Sequence, residues 1–172
     1  KEHGFTAGLW TAPFSASETS QLFIQNSDMM IKNDDDTPKH CYTNWNKKIY
    51  ALDCTHPKAQ EWLRNTFSHL KKVGFDYFKI DFLFAGAMSG KRYDNSLNSV
   101  EAYRLGLKII REAVGDDSFI LGCGAPLLPS VGFFDGMRIG PDVSTDWGEK
   151  RIIFDGTPNT HFALRNSLIR QF

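Results

Sequence analysis

The segment Phe75-Asp-Tyr-Phe-Lys-Ile-Asp-Phe-Leu-Phe84 places Phe75, Tyr77, Phe78, Ile80, Phe82, Leu83 and Phe84 within ten positions. A strand that is apolar on both faces has to be covered on both. That is the condition of a parallel sheet between helices, or of a barrel strand with helices outside and packed side chains within. The flanking segments agree. Upstream, Thr55 or His56 caps and Pro57 suits the first turn. Ala59, Leu63, Phe67 and Leu70 then recur at helical spacing with Trp62 beside them, and Gly74 stops the helix. Downstream, Val100, Tyr103, Leu107, Ile110 and Val114 define the face of a second helix ended by Gly115. Further strands are predicted over Phe5–Phe14, Ser118–Cys123 and Phe133–Gly140, and a last helix starts at Thr157-Pro158. The connection from Cys123 to Phe133 has room for a turn of helix at most.

Four parallel strands with connecting helices make an α/β chain. An eight-stranded (β/α)8 barrel takes about 250 residues, so 172 residues correspond to part of one. Gly122-Cys-Gly124 lacks the third glycine and following helix of a dinucleotide fold. From Ser15 to about Tyr50 the chain is rich in Ser, Asn, Asp and Thr, with one apolar patch at Leu22, Phe23 and Ile24. This stretch reads as a long irregular loop or insertion. Within it, Asn33-Asp-Asp-Asp36 reads as a solvated run rather than a cation site.

Composition narrows the function. Lys+Arg 20 against Asp+Glu 20 leaves no net charge, hence no electrostatic footprint for nucleic acid or an anionic membrane. No run of 18 apolar residues occurs. No basic-then-apolar leader opens the chain, so a cytoplasmic protein is expected. Cys41, Cys54 and Cys123 are an odd set that does not make a disulfide framework. His3, His40, His56, His69 and His161 show no paired ligand spacing, so neither metal nor cofactor is expected. Aromatic residues reach 13%, which suits a heavy core or a surface that stacks on sugar rings.

The chemistry-bearing residues lie at strand ends. Lys79 and Asp81 are two apart, so both point to one side of their strand, with Phe78, Ile80 and Phe82 on the other. Opposite charges inside a barrel are costly unless they pair or work, and a nearby cation favours the ionised carboxylate that an Asp nucleophile needs. Arg138 precedes Asp142 by four positions, with Gly140-Pro141 between, which puts Asp142 on the loop past its strand. Asp146 is the competitor for that role, and Asp135 sits at the strand's start, the end that serves stability. Two carboxylates on separate strands suggest cleavage of a glycosidic bond.

In order and spacing these segments resemble glycoside hydrolase family 36, the α-galactosidases of clan D, a clan that also holds families 27 and 31. Gly8-Leu-Trp10 resembles the third barrel strand of that family, and Ser20-x-Leu22 its following loop. Leu52-Asp-Cys-Thr-His-Pro57 is similar to the segment before its helix, and Phe78-Lys-Ile-Asp81 to its fourth strand. Cys123 matches a cysteine of its fifth strand, and Arg138 with Asp142 its sixth. The resemblance covers essentially the whole chain. It implies a central barrel piece, strands three to six of a single catalytic domain, with the first two and last two strands outside residues 1–172. It also implies retaining release of terminal α-linked galactose from oligosaccharides such as melibiose or raffinose. Asp81 would be the nucleophile and Asp142 the acid/base, with the two carboxyl groups about 5–5.5 Å apart. Trp10, Lys79, Cys123 and Arg138 would line the sugar site. Two other readings stay open: a transglycosylase of the raffinose-synthase type, and an inactive carbohydrate-binding barrel.

Overall fold

A computed structural model of the chain describes residues 3–145, 147 and 158–169. The chain divides into two compact units, Lys1–Met137 and Arg138–Phe172. The first holds a four-stranded parallel sheet of β1 (Gly8–Thr11), β5 (Tyr77–Ile80), β6 (Phe119–Gly122) and β7 (Gly136–Met137), in that spatial order. It also holds a three-stranded antiparallel sheet, β2 (Ser15–Ser17), β4 (Lys47–Ala51) and β3 (His40–Asn44), with β4 central. The helices of this unit are α1 (Gln21–Asn26), α2 (Pro57–Val73), α3 (Ser99–Val114) and the single turn α4 (Leu127–Ser130). The second unit contains α5 (Thr160–Ile169). Among the described residues no helix is long and apolar enough to cross a membrane.

The long helices form where their ends and periodicity dictate. His56 Nδ1 accepts from the Lys58 N–H, Pro57 occupies the first turn, and Gly74 closes α2 at φ 113°. Ala59, Leu63 and Phe67 are the buried face, with the Phe67 ring 5.9 Å from Phe78 of β5. Asn98 opens α3 with a reciprocal cap. Its side chain accepts from the Val100 and Glu101 N–H groups while the Glu101 carboxylate accepts from the Asn98 N–H. Tyr103, Leu107, Ile110 and Val114 are buried as their spacing requires, whereas Val100, in the first turn, is exposed. β5 and β6 fall inside their predicted spans. The strand expected over Phe133–Gly140 pairs only at Gly136–Met137, because Phe133 and Phe134 turn aside to pack against the core.

The segment from Ser15 to Tyr50 departs from expectation. It is a folded excursion rather than an irregular loop, containing β2, α1, β3 and most of β4. Ser20 caps α1 by accepting from the Phe23 N–H. Phe14, at the end of the β1 segment, is fully buried between two glycines. A Cβ added at Gly86 would stand 2.7 Å from its ring, and one at Gly106 2.9 Å from its ring and 2.5 Å from Cys54 Sγ. Gly106→Ala is therefore expected to overpack the contact between α3 and Phe14. The cost should be about 1–3 kcal/mol, read as a lower urea midpoint of the full-length protein. An unchanged midpoint would mean that Phe14 and Cys54 can retreat.

Candidate active site

Asp81 stands directly after β5, and 8% of it is exposed. Its N–H donates to the Thr11 carbonyl at 2.9 Å, continuing the ladder with β1 by one residue. The next residue leaves the strand: Phe82 has φ 52°, in the left-handed region, and from there its N–H donates to Asp81 Oδ1 at 2.8 Å. Trp10 of β1 lies level with Lys79, and its Nε1–H donates to Asp81 Oδ2 at 3.1 Å. Each carboxylate oxygen thus has one N–H donor, and the group is fixed in rotation.

Of the two options for Lys79 and Asp81, an ion pair does not form among the described residues. Residues two apart on a strand are separated by roughly 6.6 Å along the chain, and the two N–H donors take the carboxylate instead. Lys79 is half-buried in the register Trp10–Lys79–Leu121 across three strands. Cys123 is fully buried just past β6. Its N–H donates to the Ile80 carbonyl at 2.8 Å, and its own carbonyl accepts from Leu83. Gly124, at φ 55°, brings backbone close to the acid, since a Cβ there would lie 3.6 Å from Asp81 Oδ1.

Phe82 does not join Phe78 and Ile80 on the helix-covered face, as alternation predicts. The left-handed turn swings it to the side of Trp10, into a cluster that sequence reasoning missed. Phe82 stacks on Tyr42 (centroids 4.9 Å, 15°) and meets Trp10 at 6.3 Å and Trp45 at 5.9 Å, both edge to face. Phe84 leans on Tyr42 at 5.5 Å. The Tyr42 hydroxyl donates to Ser15 Oγ, and burial pushes its pKa up to about 12, partly offset by that hydrogen bond. The one available signal was Asn44-Trp-Asn46, a turn-forming sequence without glycine.

Asp135 is held as a structural group: it accepts from the Ile120 N–H and from Arg111, each at 2.7 Å. Burial raises its pKa, but these two donors outweigh it and keep the carboxyl below its usual range. A cavity of about 260 Å³ is lined by Asp28, Asp53, His56, Arg92 and Tyr93 among others, and by none of the candidate catalytic residues. It lies over a buried ion pair in which Asp53 accepts from Arg92 Nη1 at 3.3 Å and from the Tyr93 N–H at 2.6 Å.

Within the second unit, Arg138 Nη1 donates to Asp142 Oδ1, and the Asp142 carbonyl accepts from the Asn159 N–H at 2.8 Å. The Asn159 side chain caps α5 by accepting from Phe162 at 3.0 Å. Among the described residues, Arg138 Nε is buried without a hydrogen-bond partner. The structure thus brings Trp10 to Asp81 and Arg138 to Asp142. Asp146 lies outside the described residues.

The model of the glycosyl hydrolases family 31 TIM-barrel domain matches residues 1–105. The chain belongs to that family. The matching model is thus one of family 31, where the sequence motifs pointed to family 36, in the same clan. Among solved structures, an α-galactosidase from Thermus thermophilus in complex with stachyose is 36% identical, with a TM-score of 0.86. The match covers 98% of this chain and 36% of that one. The same enzyme in complex with p-nitrophenyl α-D-galactopyranoside matches at 35% identity and the same TM-score, over 35% of its length. A family 31 sulfoquinovosidase from E. rectale shares the fold at a TM-score of 0.63 and 17% identity, over 86% of this chain and 23% of that one. This family 31 chain therefore spans about a third of the length of the first structures it matches. Its four-stranded parallel sheet with covering helices is part of a glycoside hydrolase barrel.

Proposed function

We propose that this chain carries the catalytic centre of a retaining glycosidase that releases terminal α-linked galactose by double displacement. The observation that carries the reading is Asp81: a nearly buried carboxylate at the end of a central strand, with one N–H donor on each oxygen. Such a group is held still for attack. The likeness to an α-galactosidase at 36% identity over 98% of the chain supports galactose as the sugar.

In the first step Asp81 attacks the anomeric carbon. The bond from that carbon to the glycosidic oxygen breaks, and Asp142 gives its proton to the departing oxygen. In the second step Asp142 takes a proton from water, whose oxygen attacks the anomeric carbon and releases Asp81. Arg138 orients Asp142. Trp10 holds Asp81 and presents an apolar edge to the sugar, and Lys79 and Cys123 complete the wall. An acceptor hydroxyl in place of water makes the same pair a transglycosylase, and product analysis at high sugar concentration separates the two.

The test is leaving-group dependence. A general acid matters most for a poor leaving group, where its loss costs about 10²–10⁴-fold. In the full-length protein, Asp142→Ala is expected to cut melibiose hydrolysis by that order and to cut hydrolysis of an activated aryl α-galactoside far less. Asp146→Ala should hit both substrates alike. The reverse pattern would move the acid/base role to Asp146. Absence of α-galactoside turnover by the unaltered protein would favour the inactive binding barrel.

A further inference from the structure

The hairpin between β3 and β4 ends in a turn whose central residues are Trp45 and Asn46, with Asn44 paired to Lys47. Both central residues have positive φ, 51° and 56°. That is the mark of the type I′ turn, which suits the twist of a two-residue hairpin and favours Asn, Asp and Gly. Asn46 fits. Trp45 does not: a bulky side chain in the left-handed region is an outlier that persists only where its surroundings hold it there.

The ring gains little by burial, since Trp45 is 62% exposed. What holds it is one polar contact and two edge-to-face contacts. The Trp45 N–H donates to Asn44 Oδ1 at 3.0 Å, and the indole meets Trp10 at 6.3 Å and Phe82 at 5.9 Å. Those two neighbours are the ones that donate N–H groups to Asp81. Trp45 is therefore one ring further out from the carboxylate than Trp10, on a hairpin whose Tyr42 is stacked against Phe82. A large, rigid aromatic ring is held at a backbone position that disfavours it, beside the groups that hold Asp81.

We infer that Trp45 is a platform for the aglycone: it stacks on the part of an oligosaccharide beyond the galactose that Asp81 attacks, and so sets chain-length preference. The inference rests on the reading of Asp81 as the nucleophile of an α-galactosidase. A sugar ring presents a face of C–H groups that matches an exposed indole, and a residue one ring away from the reacting carboxylate contacts the next sugar rather than the first.

The experiment compares Trp45→Asn and Trp45→Phe with the unaltered full-length protein. Asn accepts the left-handed backbone and removes the ring, whereas Phe keeps an aromatic face. Stachyose, which extends beyond the first galactose, is compared with α-galactosyl fluoride, which has no aglycone ring. Trp45→Asn is expected to lower kcat/KM for stachyose relative to the fluoride by about tenfold, through KM, with a melting temperature equal or higher. Trp45→Phe should recover part of the loss. A shift of the ratio below about twofold, or equal losses on both substrates with a lower melting temperature, would overturn the inference and make Trp45 a packing residue. If the unaltered protein turns over neither substrate, the α-galactosidase reading falls. Calorimetric titration with stachyose then still reads the platform: binding lost in Trp45→Asn upholds it, and equal binding or none by either protein overturns it.

Discussion

Asp81→Ala in the full-length protein is expected to lose α-galactosidase turnover by about 10⁴–10⁶-fold while the protein still folds. The covalent route ends when its nucleophile is removed. The structural cost is limited to the Trp10 Nε1–H and the Phe82 N–H, each left without its acceptor, at about 1–3 kcal/mol apiece if water does not replace it. Alanine is a better choice than asparagine. An amide has one oxygen for two N–H donors, so its NH2 would be set against one of them. Azide in the space of the lost side chain should restore turnover of p-nitrophenyl α-galactoside by direct attack on the anomeric carbon, giving the β-galactosyl azide. Retention of more than a few per cent of normal turnover without azide would remove Asp81 from the nucleophile's role.

Asp53→Ala is expected to be the most damaging substitution for stability. Asp53 accepts from four donors: the Thr55 N–H at 3.0 Å, its hydroxyl at 2.8 Å, Arg92 Nη1 at 3.3 Å and the Tyr93 N–H at 2.6 Å. Both charged side chains are only 2% exposed. Removing the carboxylate leaves a guanidinium buried, with its Nη2–H bonds to the Gly86 and Met88 carbonyls as its remaining partners. Breaking one side of such a pair costs about 3–5 kcal/mol, a large share of the roughly 5–15 kcal/mol that holds a domain together. The double variant Asp53→Asn with Arg92→Met removes both charges and keeps an acceptor for the Tyr93 N–H. It should lose less than Asp53→Ala alone. A urea midpoint for Asp53→Ala within the range of surface substitutions would show that water reaches the pair.

What could be read from the sequence was what local chemistry specifies by itself. Pro57 and Gly74 bracket α2, and Gly115 ends α3. The unbroken apolar run around Phe78 demands cover on both faces. The β3–β4 hairpin was not legible. His40–Asn44 and Lys47–Ala51 are mostly polar in sequence and are joined without glycine, so the turn-forming Asn44-Trp-Asn46 was the one hairpin signal. Asp81 could be placed because it ends a strand. Its partners could not, because the left-handed turn at Phe82 reverses the alternation from which they would be inferred. The family assignment shows the same limit. Gly8-Leu-Trp10 and Phe78-Lys-Ile-Asp81 are short segments at strand ends, where shared chemistry dictates the residues. Such segments identify a clan more readily than a family, which the match over residues 1–105 identifies.

The strands of the parallel sheet lie side by side in the order in which they are synthesised, β1-β5-β6-β7. During translation each new strand meets an edge already exposed, and none has to insert between two that are paired. The separations are unequal: Leu121 waits only for Gly136 and Tyr77 for Phe119, whereas Gly8 waits for Tyr77. Closure entropy grows with loop length, so β1 would face the costliest pairing if the intervening chain were slack. The small antiparallel sheet removes that slack. By folding locally it returns Leu52, whose N–H donates to the Phe14 carbonyl at 3.0 Å, to within three residues of the end of β1, so that the chain ahead of β5 sets out from beside the strand it must join.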